Sequence, residues 1–221
     1  MSVAAQLAQG STIHIGGSPA AAEVLTAITV GNPTILAITG HAGVANGDFI
    51  TLAGFTGVDA ATLNGKTAVV HHYATGATND TFAIDINTVG KTITIDAGNT
   101  TITPTLWIEI LEVKGIKPSA GSSSDIDVTD LKSAAKEYRT GLVDNGTFST
   151  DIHILESDAG QAAAQASYEA STALPYKVTT SAKVRTFTAS CKKFPTIPDL
   201  NVDAVQVGTM EFRISGAVTV A

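Results

Sequence analysis

A single cysteine, Cys191, stands in the 221 residues, so an intramolecular disulfide framework is excluded; strand alternation around it reads it as a small core residue. Charge is scarce as well, at 15% of residues, and lopsided: Lys and Arg number 13 against 20 Asp and Glu, for a formal charge of −7. No cluster of basic residues occurs, and a general duplex-DNA binder needs one to neutralise phosphates. No apolar run approaches the roughly 20 residues of a membrane-spanning helix. The N-terminal MSVAAQLAQGSTIH lacks the basic and apolar regions of a signal peptide, so the chain reads as a soluble, cytosol-made protein.

Catalytic patterns are missing too. There is no Gly-x-Ser-x-Gly elbow, no phosphate-cradling Gly-x-x-x-x-Gly-Lys-Ser/Thr and no strand-linked Gly-x-Gly-x-x-Gly. The carboxylate pair Asp125 and Asp127 lies in a polar stretch and reads as solvated rather than as acid and base. His14 falls on the polar side of a short strand and reads as solvated. His71 and His72 are adjacent on a strand, so they should face opposite sides, and no Cys or third His stands at a ligand spacing. Asp48, Asp59, Asp80, Asp85 and Asp96 lack a calcium-loop pattern and read as solvated turn residues. The expectation is a protein that is not an enzyme and carries neither cofactor nor metal.

What the chain has in plenty is Thr, Val, Ile, Ala and Gly, a mixture that favours strands and turns. Residues 1–10 read as an arm or short helical turn, and Thr12–Ile15 and Val24–Val30 as strands. Short Thr-rich strands then follow at regular spacing: Thr34–Thr39, Asp48–Leu52, Lys66–Tyr73, Thr81–Ile86 and Lys91–Ile95. Asn46-Gly47-Asp48 and Leu63-Asn64-Gly65 supply tight turns. Phe49, Leu52, Phe55, Leu63 and Phe82 are the expected core of this part. Thr105–Lys114 is a strand apolar on both faces, and Gly115–Ser124 is flexible by composition. Phe148–Ile154 is a one-sided strand. One helix follows, capped by Ser157, supported by Asp158 and Gln161, propagated through Ala162–Tyr168 and stopped by Ala173-Leu174-Pro175. Tyr176–Thr179 and Val184–Cys191 form a hairpin around Thr180–Lys183. After a Pro-marked link at 194–198 come strands Val202–Val207 and Met210–Val220.

Between two of these strands runs Ile126–Phe148, IDVTDLKSAAKEYRTGLVDNGTF, a polar excursion longer than the 2 to 5 or so residues of hairpin turns. Its order, Val128-Thr129, Leu131 to Tyr138, then Gly141-Leu142-Val143-Asp144-Asn145-Gly146 and a strand, resembles the major tail tube proteins of long-tailed bacteriophages of the siphophage type. The closing Glu211-Phe212-Arg213-Ile214-Ser215-Gly216 is similar to their last strand. The stretch from Ile28 to Pro104 resembles a small β module recurring in phage tail and virion proteins. That likeness is carried by Gly40-His41, Val44 to Asp48, Leu52 to Phe55, Leu63 to Lys66 and Asp80-Thr81-Phe82.

The resemblance implies an all-β chain: a tail-tube core, a β-sandwich or partial barrel with one short flanking helix, made of residues 1–27 and 105–221. An all-β module of residues 28–104 is inserted into a loop of that core and sits on the tube exterior. It implies hexameric rings of this subunit, stacked into a hollow virion tail tube that conducts DNA without binding it specifically. Tape measure, tail terminator and distal tail proteins would be the further partners, and no membrane is involved. The loop Ser122–Asn145 would contact the adjacent subunit or ring through Ser122, Asp127, Thr129, Asp130, Leu131, Lys132, Lys136, Glu137, Tyr138, Arg139, Leu142 and Asp144. Lys132, Lys136, Glu137 and Arg139 would set its register. Asp151 and Glu211 would face an acidic lumen that repels DNA within a Debye length of about 8 Å. A different class remains open: a virion decoration or adhesin-like protein whose module binds a host-surface partner through exposed aromatics.

Overall fold

A computed structural model describes residues 10–39, 43–119, 121–130, 132–197 and 205–220. Among the described residues the chain is all-β with one α-helix: β1 (Thr12–Pro19), β2 (Glu23–Thr29), β3 (Thr34–Thr39), β4 (Phe49–Ala53), β5 (Thr67–Ala74), β6 (Asn79–Ile84), β7 (Thr101–Glu109), β8 (Val113–Pro118), β9 (Ser122–Asp127), β10 (Tyr138–Asp144), β11 (Thr147–His153), α1 (Ala159–Glu169), β12 (Ala173–Thr179), β13 (Val184–Lys193) and β14 (Val207–Val220). Chain contacts divide it into two compact units. One comprises Met1–Ile110, Pro175–Thr186 and Thr219–Ala221, the other Leu111–Leu174 and Phe187–Val218. The sequence-based arm at residues 1–9, His41, and Val202–Ala204 of an expected strand lie outside the described residues.

In the first unit, β2-β3-β6-β5-β4-β7 is a closed six-stranded barrel, sealed where Glu23 and Val24 of β2 pair with Ile102 and Thr101 of β7. Alternation drives Leu36, Ile38, Ile50, Leu52, Val70, Phe82, Ile84 and Ile102 inward, where all are buried with Phe55 and Leu63. Phe49 is the exception among the expected core residues. It is half-buried and packs on Trp107, ring centroids 6.1 Å apart. Residues 91–95 are not a strand; only a Thr56–Thr94 bridge forms there. Both β2 and β7 run across the expected boundaries at 28 and 104, because β7 is shared. Its Thr101–Pro104 portion pairs with β4, and Thr105–Glu109 pairs with β1, which pairs in turn with β12.

Two of the aspartates expected in solvent are buried in this unit. Asp48 accepts from Ala45 N at 2.8 Å, Trp107 Nε1 at 2.7 Å and Lys177 Nζ at 2.8 Å, while the Lys177 ammonium lies 4.6 Å over the Trp107 ring. Asp80 accepts from the Tyr73 hydroxyl and from Gly76 N. His14, half-buried, stands opposite Lys177 and Glu109 in the strand register. Burial and then the Lys177 charge hold its pKa below the usual imidazole value. A bulge with φ +50 at His72 interrupts the expected alternation of the His pair, whose ring centroids are 6.5 Å apart. Among the described residues, no group of three or more His, Cys, Asp and Glu could hold a metal ion.

In the second unit, β14 pairs with β11 and β11 with β8, all antiparallel. Phe148 stacks on Phe212 at 4.6 Å and meets the edge of Phe187 at 5.3 Å, beside buried Ile152, Met210, Ala189 and Cys191. The expected strand Thr105–Lys114 instead ends at Glu109, with Glu112 at φ +60 before β8, and the expected flexible Gly115–Ser124 is mostly β8 and the start of β9. Once the chain has turned at Glu112, the backbone groups of Val113–Pro118 that face β11 are paired with it, which outweighs the low strand propensity of Gly and Pro there. Asp158, not Ser157, caps α1: its carboxylate accepts from Gln161 N at 2.7 Å and its backbone is extended. The helix ends at Glu169, ahead of Ala173-Leu174-Pro175, which is part of β12. No helix among the described residues is long and apolar enough to cross a membrane.

Candidate assembly interface

The polar excursion is itself a β-hairpin, contrary to the loop expected from its length. β9 and β10 pair antiparallel as a separate two-stranded ribbon, Tyr138 opposite Asp127, Arg139 opposite Ile126 and Thr140 opposite Asp125. The length excluded a tight turn but not a hairpin with a wide tip. The described residues of that tip, 128–130 and 132–137, are held by local hydrogen bonds. Val128 N donates to Glu137 O at 3.0 Å, Thr129 N to Asp127 Oδ1 at 2.9 Å and Glu137 N to Thr129 Oγ1 at 3.0 Å. Lys132 N and the Ser133 hydroxyl both donate to Asp130 Oδ1. Such short Asx and Thr loops hold a turn without help from a core. The two hydrogen bonds from Thr129 hold the Asp127 carboxyl below its usual pKa, so Asp127 is charged at neutral pH.

At the other end the ribbon is tied down. Asp144 pairs with the Arg213 guanidinium of β14, Asn145 Nδ2 donates to Gly216 O at 2.5 Å, and Gly146, at φ +77, donates its N–H to Asp144 Oδ1 at 2.9 Å. The base is therefore fixed to the sheet while the blade projects. Every residue of β9 is exposed. So are large apolar side chains that a solvated loop has no reason to carry: Leu142 at 91%, Val143 at 68%, Tyr138 at 55%, Ile126 at 52% and Val128 at 39%.

Of the residues singled out from sequence, Ser122, Asp127, Thr129, Asp130, Lys132, Lys136, Glu137, Tyr138, Arg139 and Leu142 all lie on this exposed hairpin, and Asp144 lies at its half-buried base. Leu131 falls outside the described residues. Sequence reading missed Ile126, Val128 and Val143 as contact candidates. The signal was there in the alternation of Asp125-Ile126-Asp127-Val128, which is a strand pattern rather than a loop pattern.

Asp151 and Glu211 do share one face of the β8-β11-β14 sheet, since Asp151 stands opposite Thr209 and Ser149 opposite Glu211. The face is mixed in sign. Lys117 lies on it, opposite Ser149, and Arg213 follows Glu211 two residues along β14. Asp151 accepts from Lys117 Nζ at 2.6 Å and from Thr209 Oγ1 at 2.8 Å, and these two bonds, Lys117 first, hold its carboxyl below the usual pKa. Next to it, a recess of about 480 Å³ opens between Lys114, Asp151, Lys193, Pro195, Ile197, Val207, Gly208 and Thr209. Its wall is held by a close approach: a Cβ on Gly208 would come within 2.4 Å of Pro195 Cγ, so the link after β13 lies directly on β14. Comparison of the chain with protein-family models gives no match, and comparison with curated proteins gives none either.

Proposed function

We propose that this chain is a structural subunit that assembles with copies of itself, as the resemblance to tail tube proteins implies: hexameric rings stacked into a hollow conduit for DNA, in a virion tail. The observation that carries the reading is the β9–β10 blade, tied to β14 at its base and bearing exposed Ile126, Tyr138, Leu142 and Val143. A large apolar surface on an ordered projection is costly in a monomer and has a use once another protein meets it. The closed barrel at residues 23–109 has few free backbone groups to offer, which suits a module carried on the outside of such a tube. The mixed charge beside Asp151 and Glu211 lends no support to a strongly acidic lumen built on those two residues.

Negative-stain microscopy tests the reading. Purified protein is expected to form rings or tubes, and a variant lacking Ser122–Asn145 is expected to fold yet stay monomeric. That deletion is structurally mild, because β8 and β11 already pair antiparallel and Ser119 N donates to Thr147 O at 2.7 Å, leaving a short hairpin in place of the blade. Tubes from the deletion variant would sink the role of the blade. The other class, a decoration or adhesin-like protein, has less behind it. Phe55 is buried, and Tyr73 is half-buried with its hydroxyl committed to Asp80, so neither offers the flat exposed ring that glycan binding uses.

A further inference from the structure

The register of the blade sorts its charges. Asp125 and Asp127 share a face with Thr140, Tyr138 and Val143, whereas Arg139 lies opposite Ile126 on the other face. One side of the ribbon is therefore acidic with apolar neighbours and has no cation across the ladder. The recess beside Asp151 is its complement. Lys117 already answers Asp151, so Lys114 and Lys193 are left as surplus positive charge, and among the described residues neither makes an ion pair. Pro195, Ile197 and Val207 supply an apolar wall next to them, Ile197 being 86% exposed. On a chain of net charge −7, this pocket and that face are matched in both sign and hydrophobicity.

The blade does not reach the recess of its own chain. It leaves the sheet just past Pro118, at the end where Pro118 pairs with Phe148, while the recess lies towards Lys114 and Gly208, at the opposite end of the same strands. The exposure of all of β9 shows that the ribbon is not laid back along its sheet. At about 3.3 Å per residue the six residues of β9 carry the acidic face roughly 20 Å outward, far enough to meet a neighbour.

We infer that the acidic face of the β9–β10 blade, Asp125 and Asp127 with Tyr138 and Val143, seats on the recess flanked by Lys114 and Lys193 of a second copy of this chain. The inference rests on the self-assembly reading and adds the acceptor to it. It also moves Asp151 from an open bore into a contact between copies.

Charge reversal tests it. The double variants K114E/K193E and D125K/D127K are each expected to need a concentration about tenfold or more above wild type to assemble, since like charges then face each other. The fourfold variant, in which both partners are reversed, is expected to assemble like wild type, as is an equimolar mixture of copies that can pair reversed with reversed. Sedimentation velocity and negative-stain images read the assembly, and circular dichroism melts establish that each variant is folded. If wild type assembles and either double variant assembles equally well, the acceptor is wrong while the self-assembly reading stands. If the fourfold variant is folded but stays monomeric, the pairing is likewise overturned. If wild type stays monomeric at every concentration, both ideas fall.

Discussion

At the scale of single residues, the best-built contact is Asp48 with Lys177 and Trp107, inside the first unit. Both charges are largely out of water, with side-chain exposures of 7% and 15%. Removing one partner leaves the other desolvated, so Asp48→Ala is expected to lower stability by about 3 kcal/mol or more, measured by urea denaturation. Asp48→Asn keeps an acceptor for the indole N–H and should cost less. Asp151 is a milder case. Its folded pKa lies below the unfolded value, so its contribution is present above the unfolded pKa and is lost as pH falls through the folded one. Lys117→Ala should raise the Asp151 pKa in a carboxyl-detected NMR titration, and Thr209→Val should raise it by less. Burial pushes the Cys191 thiol up to about 11. It should therefore resist a thiol reagent at mildly alkaline pH in the folded protein and react fully in denaturant, since the thiolate is the reacting species.

At the scale of elements, strands with clean alternation were legible: Thr34–Thr39 emerged with both ends as read, and β11, the hairpin about Thr180–Lys183 and the buried Leu52 and Phe82 of the barrel followed from period-two burial, while Phe55 and Leu63 are buried from the turns beside it. Misreadings came where pairing overruled composition. Gly115 and Pro118 look like breakers, yet sit in β8 because β11 offers a full ladder on one side, and Pro118 lies at the strand's end where its missing N–H does no harm. Lys91–Ile95 alternates, but among the described residues it forms a single bridge, Thr94 to Thr56, and is otherwise held by bonds to Asp59 rather than by a strand. Asp158 outcompeted Ser157 as cap through the wider polar knot in which Gln161 Nε2 also donates to Leu111 O and His153 O. The stretch 122–145 reads as a loop in sequence but is a hairpin, because polar residues outnumber apolar ones on a ribbon whose faces are both largely exposed. Elements also meet at Gly54, where φ is +77 and a Cβ would lie 2.1 Å from Asn99 O. Gly54→Ala should cost more than about 1 kcal/mol in a thermal melt, with the barrel still closed in the surviving folded fraction.

At the scale of the whole molecule, the arrangement separates a sealed part from an open one. The barrel consumes its own strand edges, whereas the blade and the outer edge of β8 leave theirs available. A chain built this way can keep its first part inert and leave association to the second, which is how the proposed assembly would avoid indiscriminate pairing. The barrel's seam has a consequence in time as well. β2 closes on β7, so Glu23 must wait for Ile102. At about 5 to 20 residues per second, synthesis leaves the early strands unsealed for several seconds, the interval in which a nascent chain is most open to misjoining. Ribosome-stalled chains should accordingly turn protease-resistant in one step once β7 has cleared the exit tunnel, and resistance gained strand by strand before then would show that the seam is not what completes the barrel.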